Sequence, residues 1–186
     1  MDTDSPTEAI EVLTIGHSTR SIEEFLSLLR SNHVTTVVDI RTVPRSRRNP
    51  QYNTDSLPVS LAEAGIGYAR MSGLGGFRKT RPDSPNTAWR NDSFRGFADY
   101  MQTDEFEKSL NDLIELARRK RVVIMCAEAV PWQCHRSLIA DALTVRGVKV
   151  RHIIDKAHVN EHKLTSFARV EGAKVTYPGQ TELDME

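Results

Sequence analysis

Two cysteines, a glutamate, a histidine and an arginine fall within one stretch, Arg121 to Arg136, which reads R-V-V-I-M-C-A-E-A-V-P-W-Q-C-H-R. These types can do nucleophilic, acid–base and anion-binding work. Cys134 can supply a thiolate, because a helix start and the neighbouring Arg136 would lower a thiol pKa. Glu128, paired with Asp39 from another strand end, offers an acid/base couple, since two nearby carboxylates push one pKa upward. A carboxylate attacking a sugar carbon is the other concrete version. His135 can act as a base or as a donor to an anion. Arg136 carries a fork that fits two phosphate oxygens.

The elements that must position these groups follow from apolar spacing. Val122 to Met125 form a β-branched apolar run, suited to a strand buried on both faces. Pro131 lies in the connection, and Leu138, Ile139, Ala142, Leu143 and Val145 then recur at helical spacing up to Gly147. This strand–loop–helix puts Cys126 and Glu128 at a strand's carboxyl end, and Cys134, His135 and Arg136 at a helix start. Ligands bind at that edge in open α/β sheets, and free N–H groups there attract anions.

Upstream, a strand at Val12–Ile15 leads into Gly16-His17-Ser18-Thr19-Arg20. Ser21 and Glu24 make a capping box for a helix with Ile22, Phe25, Leu26 and Leu29 on its apolar stripe. A second strand, Val34–Ile40, ends at Asp39 and Arg41. Residues 41–53 then carry four arginines and no acid, as a solvated loop or as a contact to phosphate or nucleic acid. A short helix over 56–64 and a strand over 66–71 precede Leu74-Gly75-Gly76-Phe77-Arg78, where the glycine pair permits positive φ or close backbone approach to a ligand. Residues 79–91 form a polar loop, a lid or an insertion. Helices are expected over 93–102 and from Asp104, a strand over 148–154, and a terminal helix over 160–169.

Strands alternating with helices predict a single α/β domain over 1–186: a three-layer sandwich with a mainly parallel, doubly wound sheet. Residues 1–9 read as a flexible lead and about 170–186 as a loosely held tail. In a parallel sheet His17, Ser18, Asp39, Arg41, Gly75, Gly76, Arg78, Glu128, Cys134, His135 and Arg136 all fall on one edge, and this convergence argues for a site. Each also has a structural reading, and Cys126 after a buried strand suits a small core residue.

Composition bounds the function. The net charge is zero across 186 residues, so any attraction for an anion must be local. No apolar run approaches a membrane span, and the acidic, polar start lacks the pattern of a signal peptide, so a cytoplasmic protein with reduced thiols is expected. The C-x7-C-H spacing is not that of a zinc finger, and neither a metal nor a cofactor is expected.

Four blocks, G-H-S-T-R, D-I-R-T-V-P-R-S, L-G-G-F-R and C-A-E-A-V-P-W-Q-C-H-R, resemble the domain of unknown function family 488 over roughly Val12 to Asp155. The resemblance implies a single α/β domain of bacterial or archaeal type with these motifs as a shared site, and no assigned reaction. Two readings follow. In one, the protein is an enzyme acting on a phosphate-bearing ligand, a nucleotide or nucleic acid, held by Arg41, Arg136 and Arg78. In the other, the same arginines serve a non-catalytic binding module, and Asp39 and Glu128 only orient them.

Overall fold

Val122–Cys126 is buried along its whole length, and the reason is its place inside the sheet. In the computed structural model, which describes residues 8–180, this strand lies between two parallel neighbours. The strands are β1 (Glu11–Gly16), β2 (Thr36–Asp39), β3 (Gly67–Arg70), β4 (Val122–Cys126), β5 (Lys149–Ile153) and β6 (Val159–Glu161), in the order β3-β2-β4-β1-β5-β6. The first five are parallel, and β6 pairs antiparallel with β5.

Helices cover both faces. Leu13, Ile15, Val123 and Met125 pack with Phe25, Leu28 and Leu29 of α1 (Ile22–Ser31) and Leu57 and Leu61 of α2 (Leu57–Glu63). Val12, Val122, Ile124 and Cys126 point the other way, toward α3 (Asp92–Tyr100), α4 (Asp104–Arg119) and α5 (Arg136–Thr144). Each fully buried leucine or phenylalanine contributes roughly 1.5–3 kcal/mol. The three-layer α/β sandwich with a mainly parallel sheet is therefore as expected. Ser21 caps α1 by accepting the Glu24 N–H at 3.1 Å, and Gly147, at φ +78°, ends the turn after α5.

The C-terminal region departs from expectation. Residues 160–169 form no helix: β6 occupies the edge of β5, and a hairpin of β7 (Arg169–Glu171) and β8 (Lys174–Thr176) follows. An uncovered β5 edge would leave a row of unpaired backbone groups, and β6 satisfies part of it. The expected loose tail is docked at least through Tyr177, which is fully buried; residues 181–186 lie outside the described residues, as do 1–7 of the expected lead. The 79–91 loop is also tied down. Buried Asp99 accepts from Arg81 N, Ser84 Oγ and Asn86 Nδ2 at 2.8, 2.5 and 2.8 Å, which fits an ordered insertion rather than a lid. Among the described residues no helix is long and apolar enough to cross a membrane.

Candidate functional site

The connection after β1 passes through α1 to β2, on the far side of β4; the one after β4 passes through α5 to β5, beyond β1. The chain thus leaves in opposite directions at the β1/β4 junction, the position where open α/β sheets bind ligands. There the two strand ends are laced together: His17 N donates to Cys126 O at 2.9 Å and Ser18 N to Ala127 O at 3.0 Å. Gly16 permits this approach. A Cβ there would lie 1.6 Å from the Glu128 carbonyl oxygen and 3.0 Å from Arg136 Nη1. Arg20, last of the G-H-S-T-R block, clamps the same edge by donating to the carbonyls of Gly16 and Ile154.

Two groups of side chains occupy this edge. The first is built on His17, Asp39 and Arg41. Arg41 meets the Asp39 carboxylate with Nε at 2.9 Å and Nη2 at 2.7 Å, and Nη2 also donates to Tyr52 O at 2.7 Å. Tyr68 donates its hydroxyl to the same carboxylate at 2.7 Å, so Asp39, fully buried, has its acceptor sites filled. His17 stacks on Tyr52 with ring centroids 4.2 Å apart. Its Nδ1–H donates to Ser18 O at 2.8 Å, which leaves Nε2 as acceptor toward Arg41 Nη1 at 3.4 Å. Burial first, and then the Arg41 charge, lower the His17 pKa to about 4, so the ring is neutral. Ser18 sits at φ +50°, holding the turn that aims His17 inward.

The second group is built on Cys126, Cys134, His135 and Arg136. The cysteine sulfurs are 2.8 Å apart, with Cys134 as donor, and both thiols are free. Burial pushes both pKa values up. At Cys126 the hydrogen bond from Cys134 and the Arg136 guanidinium outweigh it, and the net direction is down. Cys134 stays well above the ordinary thiol value, through burial and the neighbouring Cys126. Of the two thiols, Cys126 is thus the one whose ionisation its surroundings favour, and Cys134 the one that holds its proton. His135 Nε2–H donates to Leu74 O at 2.9 Å, which turns the bare Nδ1 toward Cys134 Sγ at 3.6 Å. Burial foremost lowers the His135 pKa to about 4.

Arg136 is the largest fully buried side chain. Its Nη2 donates to Ala129 O at 3.2 Å, while Nε and Nη1 find no partner. Among the described residues no carboxylate lies within salt-bridge distance of it, so neither Glu128 nor Asp39 is its counter-ion. An unpaired buried guanidinium is expensive, and its charge favours the ionised form of Cys126.

Cys134, His135 and Glu128 line a cavity of about 260 Å³ whose walls include Gly76, Phe77 and Phe94. Asp39, Arg41, His17 and Arg136 do not line it, so the expected residues share one edge without sharing one pocket. Two further expectations change. Gly76 makes room for the His135 ring, whose Nδ1 would be 2.6 Å from a Cβ there, and neither Gly75 nor Gly76 has positive φ. Arg78 lies over the Tyr100 ring at 3.7 Å and donates to the carbonyls of Gly75 and Ser72. Among the described residues no group of three or more His, Cys, Asp and Glu side chains is placed to hold a metal.

Some residues of this region were not singled out by sequence. Tyr52 and Tyr68 carry no local signal, because their partners lie on distant segments. Asp141 does carry one: it interrupts the apolar run L-I-A-D-A-L in α5. It is fully buried and accepts from His162, Thr165 and Tyr177, each at 2.7 Å. His162 in turn meets His152 at 2.8 Å, and His152 meets Thr14 at 2.6 Å. His152, His162 and Thr165 of this chain line a cavity of about 800 Å³, but every ring nitrogen among them is already partnered.

No curated protein and no solved structure matches the chain. The sequence pattern of one family, described as a domain of unknown function, matches residues 21–143 and so takes in β2, β3, β4, the paired cysteines and most of α5. The chain belongs to that family, DUF488.

Proposed function

We propose that the protein is an enzyme whose reacting group is the Cys126–Cys134 thiol pair, presented to a small ligand through the cavity that Cys134 shares with Glu128 and His135. The observation that carries this reading is the 2.8 Å sulfur contact beside a buried arginine with two unpartnered nitrogens. Transfer of the shared proton to Cys126 leaves Cys134, the sulfur facing the cavity, as nucleophile. Glu128, exposed at the cavity wall, is the group able to exchange protons with a ligand and solvent.

The phosphate-bearing ligand expected from the sequence finds no arginine in this cavity: the unpartnered Nε and Nη1 of Arg136 are fully buried and lie outside its lining. Arg41 and Arg78 are committed to internal partners. Iodoacetamide kinetics followed by peptide mapping test the reading. Alkylation at Cys134 should outpace alkylation at Cys126 and should slow in Cys126→Ser, where the proton acceptor is gone. Equal, slow alkylation of both sulfurs, unchanged in Cys126→Ser, would reject it.

The binding-module reading is favoured by a different observation. Arg45, Arg47 and Arg48 are exposed on the basic segment, and Arg45 has only a 3.7 Å pair with Asp55. Nucleic-acid affinity that falls steeply with salt and disappears when these three become alanine would support it.

A further inference from the structure

The two sulfurs do more together than one nucleophile requires. Cys126 is anchored in β4, and Cys134 follows the 3-10 turn Pro131–Gln133 and packs on the same core. Between them the side chains of residues 127–129 are exposed, while the Ala127 and Ala129 carbonyls are held by Ser18 N and Arg136 Nη2. The chain has no other cysteine. Only Cys134 reaches the cavity, and Cys126 waits directly behind it. An outer sulfur open to a small molecule, with an inner one in contact, is the arrangement of an attacking and a resolving thiol. Arg136 adds a bias. Its charge favours ionisation of Cys126, which a disulfide forgoes, so it favours the reduced form.

We infer that Cys126 and Cys134 are a dithiol–disulfide couple, and that its oxidising substrate is a low-molecular-weight disulfide entering the Glu128–His135 cavity. The inference builds on the thiol reading above. Cys134 passes its proton to Cys126 across the 2.8 Å contact and attacks one sulfur of R–S–S–R. That S–S bond breaks and R–S⁻ leaves, giving a mixed disulfide on Cys134. Cys126 releases its proton to the departing R–S⁻ and attacks the Cys134 sulfur. The second R–S⁻ leaves and takes its proton from solvent. The protein pair is oxidised by two electrons, and the small disulfide is reduced to two thiols. Such couples are the usual form of disulfide in reducing compartments.

The test uses the reduced full chain and bis(2-hydroxyethyl) disulfide, quenched with acid, blocked with N-ethylmaleimide and weighed intact. The expected wild-type product has lost two hydrogens, takes up no maleimide and yields a Cys126–Cys134 linked peptide. Cys126→Ser should stop at one hydroxyethylthio adduct on Cys134, and Cys134→Ser should react far more slowly. Two free thiols, two stable adducts or a disulfide-linked dimer in the wild type would each overturn the couple. Equilibration against dithiothreitol tests the bias: Arg136→Met should move the equilibrium toward the disulfide by about tenfold, and Arg136→Lys by less. An unchanged equilibrium in a folded Arg136→Met or Arg136→Gln protein would remove Arg136 from the couple. The two readings fail separately. Fast Cys134 alkylation with no disulfide ends the couple alone, and a disulfide in a protein whose Cys134 alkylates slowly ends the nucleophile reading alone.

Discussion

Asp39 and Glu128 are both carboxylates at strand ends, yet their surroundings give them different tasks. Asp39 is fully buried, accepts two bonds from the Arg41 guanidinium and one from Tyr68, and also takes the Arg41 backbone N–H at 3.1 Å. Asp39→Asn keeps the shape but leaves Arg41 as a buried, uncompensated cation, so it should cost about 3–5 kcal/mol in urea unfolding. Glu128 is exposed and its side chain pairs with no cation among the described residues. Glu128→Gln should therefore unfold within about 0.5 kcal/mol of wild type, while changing the pH profile of Cys134 alkylation. A small loss for Asp39→Asn would return Asp39 to the acid–base role that its position first suggests.

At the scale of elements, α5 organises two regions through residues five apart. Arg136 at its start faces the cysteine pair, and Asp141 further along holds the C-terminal strands. Tyr177 and Thr165 both donate to Asp141, and the His162–His152–Thr14 chain extends the contact into β5 and β1. Tyr177→Phe removes one donor from a carboxylate that keeps the others, so it should cost about 1–3 kcal/mol. Its effect should be local. Hydrogen exchange should quicken in β6 and β8 and stay unchanged in α1, which packs on the opposite face. Equal acceleration everywhere would show that the hairpin is part of the cooperative core, not an appendage clipped to it.

Across the whole molecule, three histidines, His17 and His152 buried and His135 half-buried, share one bias. Burial is the leading cause in each, and it lowers His17 to about 4, His135 to about 4 and His152 to about 3. The unfolded chain binds these protons near pH 6.5, whereas the folded chain refuses them until far lower. Their contribution to stability is thus complete above about pH 6.5 and is lost as pH falls toward the folded values. Each contributes up to about 1.4 kcal/mol per pH unit, or roughly 4 kcal/mol per unit for the three together. Urea midpoints from about pH 7.5 down to about pH 4.5 should fall with that curvature. His17→Gln should remove about a third of the slope; a flat profile would contradict the burial of these rings as neutral bases.

The sequence by itself determined what depends on neighbours along the chain. Apolar runs set β4, the 3.6-residue stripe of α1 set its buried face, and Ser21 and Gly147 marked helix ends through local capping physics. The α/β alternation then dictated a parallel sheet, and a parallel sheet puts every strand's carboxyl end on one edge, which is why the candidate residues could be gathered before any fold was known. Only the tertiary structure decided what those residues do there. Whether Arg41 is free or bound depends on Asp39 and on Tyr52, eleven residues away, and Asp39 is also filled by Tyr68 from the adjacent strand. Whether Gly76 meets a ligand or a histidine depends on where α5 starts. The same holds for β6, whose weakly apolar residues follow the open edge of β5 rather than any periodicity of their own. The contact between Cys126 and Cys134, with a buried arginine beside them and no carboxylate in reach, comes from packing across a loop, and spacing along the chain does not encode it.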